Sequence, residues 1–255
     1  MRKLLIASLM ALAILTAPAR SEDQPTIDSV AEEIAAVWEK VNAYTATIAV
    51  NGNIPMGPLA VTTTANGTVE YMAIEETPHF RMEIVNKLGG NMPLLGGGME
   101  QKVLTVFDGE VAYSEMEAMG RKQYSKATPK SGDEKSPEGG KSLIESIRKR
   151  GEVTLLPDET VNGLDAYVFE VKPNNAGQQQ GPVKAELIRF YVDKSTGIQV
   201  RSILLDDEGN AMLTTDYTDI KVNPEIDPKR FEYTPPPGVE VIDMGDGTKR
   251  PKLFQ

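Results

Sequence analysis

The sequence predicts a mainly β protein with few helices, organised around one large antiparallel sheet, and three observations carry that expectation. Beyond Tyr44 the chain is a succession of short β-rich runs separated by explicit turn residues. Where those runs alternate cleanly, they show one apolar and one polar face, as in Phe80, Met82 and Ile84 against Arg81 and Glu83. Only two stretches have helical periodicity, so a single sheet with one dry face has to curl or be covered by them.

The chain opens with Met1-Arg2-Lys3, runs apolar from Leu4 to Leu15 and reaches Ala17-Pro18-Ala19, small residues placed for cleavage. Residues 1–19 read as a secretory signal peptide. A retained membrane anchor needs roughly 20 apolar residues, and Pro18 and Arg20 end this run before that length. Residues 20–255 are expected to form one exported domain. With no cysteine in the chain there is neither a lipidation site at the cut nor a disulfide, so a packed core has to hold the fold. The formal charge is −10, and loss of Arg2 and Lys3 with the signal makes it −12, which disfavours nucleic acid and anionic membrane as non-specific partners.

Ile27, Val30, Ile34, Val37, Trp38 and Val41 recur at three- and four-residue spacing, which predicts a helix over 27–41 whose apolar stripe packs on the sheet or, alternatively, serves as a lid or cavity wall. Trp38 is the one tryptophan in the chain. The β runs then follow in order: Thr45 to Val50, Leu59 to Ala73, Phe80 to Val85, Val103 to Phe107 and Val111 to Met116. After a polar stretch, Pro129 to Gly140, a second short helix is predicted over 142–150, with Leu143, Ile144 and Ile147 on one side. Arg148, Lys149 and Arg150 sit at its end, where cations suit the helix dipole. Tyr167 to Val171, Glu186 to Val192, Ile198 to Leu205 and Ala211 to Val222 complete a meander of about ten strands. Asp108-Gly109 and Asn162-Gly163 read as hairpin turns, and Asn66-Gly67 as a strand break.

No catalytic constellation emerges. Multi-histidine zinc sites are excluded by a single histidine, His79, and no thiol nucleophile exists. The acidic run Asp206-Asp207-Glu208 precedes Gly209-Asn210 and reads as a solvated hairpin tip, as do Asp243 and Asp246. No phosphate-binding glycine loop is present, so no cofactor, metal or catalytic residue is expected. The unusual segment is Leu88-Gly89-Gly90-Asn91-Met92-Pro93-Leu94-Leu95-Gly96-Gly97-Gly98-Met99. Its Met92, Leu94, Leu95 and Met99 offer adaptable apolar surface suited to acyl chains or membrane, and they fit equally a loop folded over the sheet as core. Ile54-Pro55-Met56-Gly57-Pro58-Leu59 carries the same two readings.

The carboxyl-terminal run, Phe231-Glu232-Tyr233-Thr234-Pro235-Pro236-Pro237-Gly238-Val239, preceded by a strand with a Gly197 turn and two further strands, resembles the closing segment of the periplasmic outer-membrane lipoprotein carriers, the LolA-like family. Val41-Asn42-Ala43-Tyr44-Thr45-Ala46, Gly67-Thr68-Val69-Glu70-Tyr71 through Pro78-His79-Phe80-Arg81-Met82, and Phe107-Asp108-Gly109-Glu110-Val111-Ala112-Tyr113 resemble earlier segments of the family in the same order.

The resemblance implies a strongly curved antiparallel sheet, an unclosed half-barrel, with helices covering the concave face. It implies a monomeric, non-enzymatic carrier that shields the acyl chains of lipoproteins or lipids and meets inner-membrane and outer-membrane transfer partners. On that reading Tyr71, Phe80, Met82, Ile84, Phe169 and Phe190 wall the cavity. Met92, Leu94, Leu95, Met99, Leu143, Ile144 and Ile147 form its lid or mouth. Burying each CH₂ of an acyl chain is worth about 0.8 kcal/mol, which is why such a chain crosses water only inside a shield. The alternative is an envelope-stress sensor or protein-interaction module on the same half-barrel. One departure is visible: Thr77 stands where the family's carrier has an arginine that latches the lid, and a hydroxyl cannot make that charge-assisted fork.

Overall fold

The computed structural model describes residues 25–56, 59–90, 98–128, 140–174 and 185–245. The expected signal segment, Pro58, the loop residues Met92, Leu94 and Leu95, most of the polar stretch before the second helix, and Asp246 lie outside them.

Helix α1 spans Ile27–Trp38. It starts where Thr26 accepts from the Ser29 N–H at 3.1 Å while the Ser29 hydroxyl accepts from the Thr26 N–H at 3.0 Å, a reciprocal capping box. Its buried stripe is Val30, Ala31 and Ile34. The helix stops three residues earlier than its periodicity suggests. Val41 continues the apolar pattern but leaves the helix through a tight turn, Val41 N–H to Trp38 C=O at 2.8 Å, and is buried on the sheet instead.

Twelve strands follow: β1 Ala43–Met56, β2 Leu59–Ile74, β3 Thr77–Gly90, β4 Met99–Phe107, β5 Ala112–Ala118, β6 Arg121–Ala127, β7 Gly151–Val161, β8 Leu164–Pro173, β9 Leu187–Asp193, β10 Gln199–Leu205, β11 Ala211–Val222 and β12 Val241–Asp243. Helix α2, Gly140–Arg150, lies between β6 and β7. All strands join one sheet in the order β12-β6-β5-β4-β3-β2-β1-β11-β10-β9-β8-β7. Its two ends, β12 and β7, do not pair, so the sheet is an unclosed half-barrel. Every pairing is antiparallel except β12 with β6.

Three strands are additional to the sequence expectation, and each has a physical reason for escaping it. In β6, Arg-Lys-Gln-Tyr-Ser-Lys-Ala has one large apolar side chain, Tyr124, and that one is buried. β7 contains Pro157, which an edge strand tolerates because one side needs no N–H; the register shifts between Leu156 and Glu159 around it. β12 is three residues held by non-local pairing. Asn66-Gly67 does not break a strand: β2 runs through it, and the β3 backbone passes close to Gly67. A Cβ there would stand 2.0 Å from the Glu83 carbonyl oxygen. Asn162-Gly163 does form a turn, with both residues in the left-handed region.

The core divides into units along the sheet. The first gathers Val30 and Ile34 of α1 and Leu143, Ile144 and Ile147 of α2 over Phe169, Val171, Ile188, Phe190 and Val192. The second lies over β1 to β3, with Val41, Tyr44, Ala46, Ile48, Val69, Tyr71 and Ile198, and Trp38 packed against it. A third, Val161, Ala166, Val168, Tyr191 and Val200, backs β7 to β10.

After β11 the chain crosses the face of β3 to β6 opposite the helices. Phe231 is buried there with its ring 6.0 Å from that of His79. Arg230 donates to Glu70 at 2.6 Å, and the Tyr233 hydroxyl donates to Glu115 at 2.9 Å. His79 therefore serves packing, its Nδ1 lying 2.9 Å from the Thr77 carbonyl oxygen.

Candidate functional site

Register lines up four cross-strand rows on the helix-bearing face of β1 to β6. They run Tyr44, Tyr71, Phe80, Phe107; then Ala46, Val69, Met82, Thr105, Ser114, Ser125; then Ile48, Gly67, Ile84, Val103, Met116, Gln123; then Val50, Ala65, Asn86, Gln101, Ala118, Arg121. Among the described residues on this face of β2 to β6, Arg121, at the β5–β6 turn, is the one charged side chain. The rows on the other face carry Glu70, Arg81, Glu83, Lys102, Glu115, Glu117, Lys122 and Lys126. Strand alternation has thus sorted charge almost completely to one side.

The helices cover this face unequally. Every member of the first core unit comes from α1, α2, β7 to β11 or the Ala185 segment, so the helices plug that half of the sheet. Over β2 to β4 the reach of the helices ends at Trp38, whose ring lies 5.4 Å from Tyr71 and 6.2 Å from Tyr44. Beyond it Met82, Ile84, Val103 and Met116 are only half-buried. Among the described residues this is an apolar, nearly charge-free surface, continuous with the packed core and open on one side.

Of the residues expected to wall a cavity, Tyr71 and Phe80 are buried and face each other across β2 and β3, and Met82 and Ile84 continue their face into the open part. Phe169 and Phe190 share the sheet face but sit under the helices, with no exposure for Phe169 and 6 % for Phe190. They are plugged core rather than open wall. Arg150, at the end of α2, places its guanidinium 5.4 Å above the Phe190 ring. Leu143, Ile144 and Ile147 form the inner side of α2 and make the plug itself. Met99 is not a loop residue: it opens β4 opposite Leu88, half-buried. Met92, Leu94 and Leu95 are outside the described residues. Val103, Phe107 and Met116 belong to the same surface and were not singled out by sequence, because only the register places them beside Ile84 and Phe80.

Polar contacts also tie α1 to its surroundings: Arg148 of α2 pairs with Asp28, and the Tyr167 hydroxyl of β8 donates to Glu33. The Asp28 pair is solvent-exposed and contributes little to stability. Burial pushes the Tyr44 phenol far above the ordinary tyrosine range, with Tyr217 and Tyr71 adding to the effect. Burial and the Glu33 carboxylate push Tyr167 up in the same way.

A cavity of about 420 Å³ lies on the opposite, charged face, among Thr68, Glu83, Lys102, Leu104, Glu115 and Glu117. Glu115 is held below the usual carboxylate range chiefly by its hydrogen bond from Lys122, burial opposing and Tyr233 assisting. No group of three His, Asp or Glu able to hold a metal occurs among the described residues. The Asp206 carboxylate is spent on its own hairpin, accepting from the Glu208 and Asn210 N–H groups at 3.0 and 2.7 Å. No described helix is long and apolar enough to cross a membrane.

The described residues thus define an antiparallel half-barrel, plugged by two helices at one end and apolar and open at the other. No family model matches the chain. An uncharacterized protein of Methanocaldococcus jannaschii is 25% identical over 225 residues, 87% of this chain and 55% of that one, so the chain spans about half the length of this relative. Among solved structures it is similar to an uncharacterized conserved protein from Thermus thermophilus (12% identity, covering 85% of this chain and 98% of that one, TM-score 0.46). It is also similar to Pseudomonas aeruginosa MucB in its complex with MucA (13%, covering 82% and 61%, TM-score 0.43). A third is a LolA superfamily protein from Nitrosomonas europaea (12%, covering 82% and 99%, TM-score 0.30).

Proposed function

We propose that this protein is a periplasmic binding protein, not an enzyme, that shelters the acyl chains of lipoproteins or lipids on the open apolar part of its half-barrel during transfer toward the outer membrane. The observation that carries the reading is the row geometry. Tyr71, Phe80, Met82, Ile84 and Val103 make a surface from which alternation has removed charge, and the helices leave it half-covered. Such a surface costs free energy in water and is stabilised by an apolar guest at about 25 cal/mol per Å² buried. The signal-like amino terminus and the carboxyl-terminal resemblance support the compartment and the cargo class. Native mass spectrometry of protein purified gently from the periplasm, with organic extraction, tests it. Co-purifying lipid or acylated peptide, lost on Ile84→Asp, is the expected result; an empty protein counts against it.

A second reading, a protein-interaction or envelope-sensing module, draws on the 420 Å³ charged cavity that the carrier reading leaves unused. A polypeptide retained through the same purification, lost on Glu83→Lys and unaffected by Ile84→Asp, would favour it.

A further inference from the structure

The open surface is not uniformly apolar. Across β4, β5 and β6 its rows pass from Met82, Ile84 and Val103 to Gln101, Thr105, Ser114, Gln123 and Ser125. All five of these polar side chains are half-buried. Gln101 donates to the Met116 sulfur, a weak acceptor, and the Thr105 and Ser114 hydroxyls lie 3.5 Å apart, at the limit of a hydrogen bond. Gln123 and Ser125 have no side-chain partner among the described residues. The band therefore holds neutral donors and acceptors with capacity to spare, next to an apolar surface, and its nearest charge on that face is Arg121 at the turn.

Resting on the carrier reading, we infer that this surface selects amphiphiles whose polar end is uncharged. The chain lies over β2 to β4, and an ester, amide or hydroxyl group is held by the Gln101, Thr105, Ser114, Gln123 and Ser125 band. Amides and hydroxyls satisfy both hydrogen-bonding capacities of such groups, and an ester carbonyl accepts from the Gln and hydroxyl donors. A phosphate or carboxylate laid there loses hydration, and the one cation on this face among the described residues, Arg121, stands exposed in water at the β5–β6 turn, at the edge of the band.

The test uses the full mature chain and ligands of one acyl length below their aggregation threshold, at about pH 8, where a fatty carboxyl is ionised. A monoacylglycerol and a fatty amide are compared with the fatty acid and the lysophosphatidic acid, by displacement of a fluorescent apolar probe. The expected result is that both neutral ligands bind at least roughly tenfold more tightly than both anions. The double variant Gln123→Leu, Ser125→Ala should narrow that ratio while probe binding persists; should it fail to fold, Thr105→Val serves the same purpose. Equal affinity for neutral and anionic ligands, or tighter binding of the anions, overturns the inference and leaves the carrier reading standing. No binding by any acyl ligand overturns the carrier reading and the inference with it.

Discussion

Trp38, the last residue of α1, sets its indole 5.4 Å from the Tyr71 ring at a 50° tilt, while Tyr71 stacks on Tyr44 at 5.4 Å. The triad marks the boundary between the half of the sheet that the helices plug and the half they leave open. As the one tryptophan in the chain, Trp38 reports from that boundary.

An apolar guest reaching Tyr71 displaces water from the edge of the indole. Titration of a neutral acyl ligand is therefore expected to shift the tryptophan emission to shorter wavelength in a saturable manner, and Ile84→Asp should abolish the shift. A ligand that binds by probe displacement and leaves the emission untouched would place the guest elsewhere.

Alkaline stability follows from the buried phenols. The Tyr44 and Tyr167 phenols ionise in the folded protein only well above the unfolded value near 10, the first held chiefly by burial, the second by burial and Glu33. A raised folded value means that the stabilisation is complete below pH about 10 and is lost as pH climbs above it toward the folded value. Tyr44 alone then removes up to about 1.4 kcal/mol per pH unit. Melting temperature should be flat toward the alkaline side until about pH 10 and then fall, with phenolate absorbance appearing together with unfolding. Tyr44→Phe should make the fall shallower; an unchanged slope would mean that Tyr44 is not the controlling group.

How much of this was legible in the sequence depends on whether the signal is local. Alternation in Phe80 to Ile84 and the i, i+3, i+4 stripe of Val30 and Ile34 are local, and they placed those elements and their buried faces. Asn162-Gly163 declared its turn, whereas Asn66-Gly67, the same dipeptide, sits in mid-strand because long-range pairing on both sides of β2 overrides turn preference. β12 depends on a partner far away in sequence, and β6, though it pairs with the adjacent β5, has only one large apolar side chain, so neither carried a pattern to read. The site suffered most from this. Phe169 and Phe190 look like Phe80 in sequence, and only the position of the helices decides which are plugged and which border open surface.

Gly67 gives a direct check on the sheet geometry. Gly67→Ala pushes a Cβ to within 2.0 Å of the Glu83 carbonyl oxygen, a backbone atom that can yield only by distorting the β2–β3 ladder. Gly163→Ala meets nothing within 4 Å and bears only the cost of a left-handed conformation, φ +82°, about 1 kcal/mol. Denaturant melts should show Gly67→Ala as much the more destabilising of the two. Equal losses would refute the close approach of these strands.

The division of the helix-bearing face into plug and open surface predicts a split between stability and binding. Phe169 has no exposure and is enclosed by both helices, so Phe169→Ala leaves a cavity and should cost about 3–5 kcal/mol. At 25 °C the survivors that remain folded should still bind an acyl ligand, since the open rows are untouched. Ile84 is half-buried beside Val103 and Gly67, where an introduced carboxylate stays partly hydrated, so Ile84→Asp should cost less than about 2 kcal/mol. Yet it places a charge in the middle of the apolar rows, where a bound chain would strip its water, and affinity should fall by at least roughly tenfold. Urea unfolding and probe displacement on both variants measure the two effects separately. If Phe169→Ala loses binding while folded and Ile84→Asp retains it, the guest lies under the helices, and the open half of the sheet is not the site.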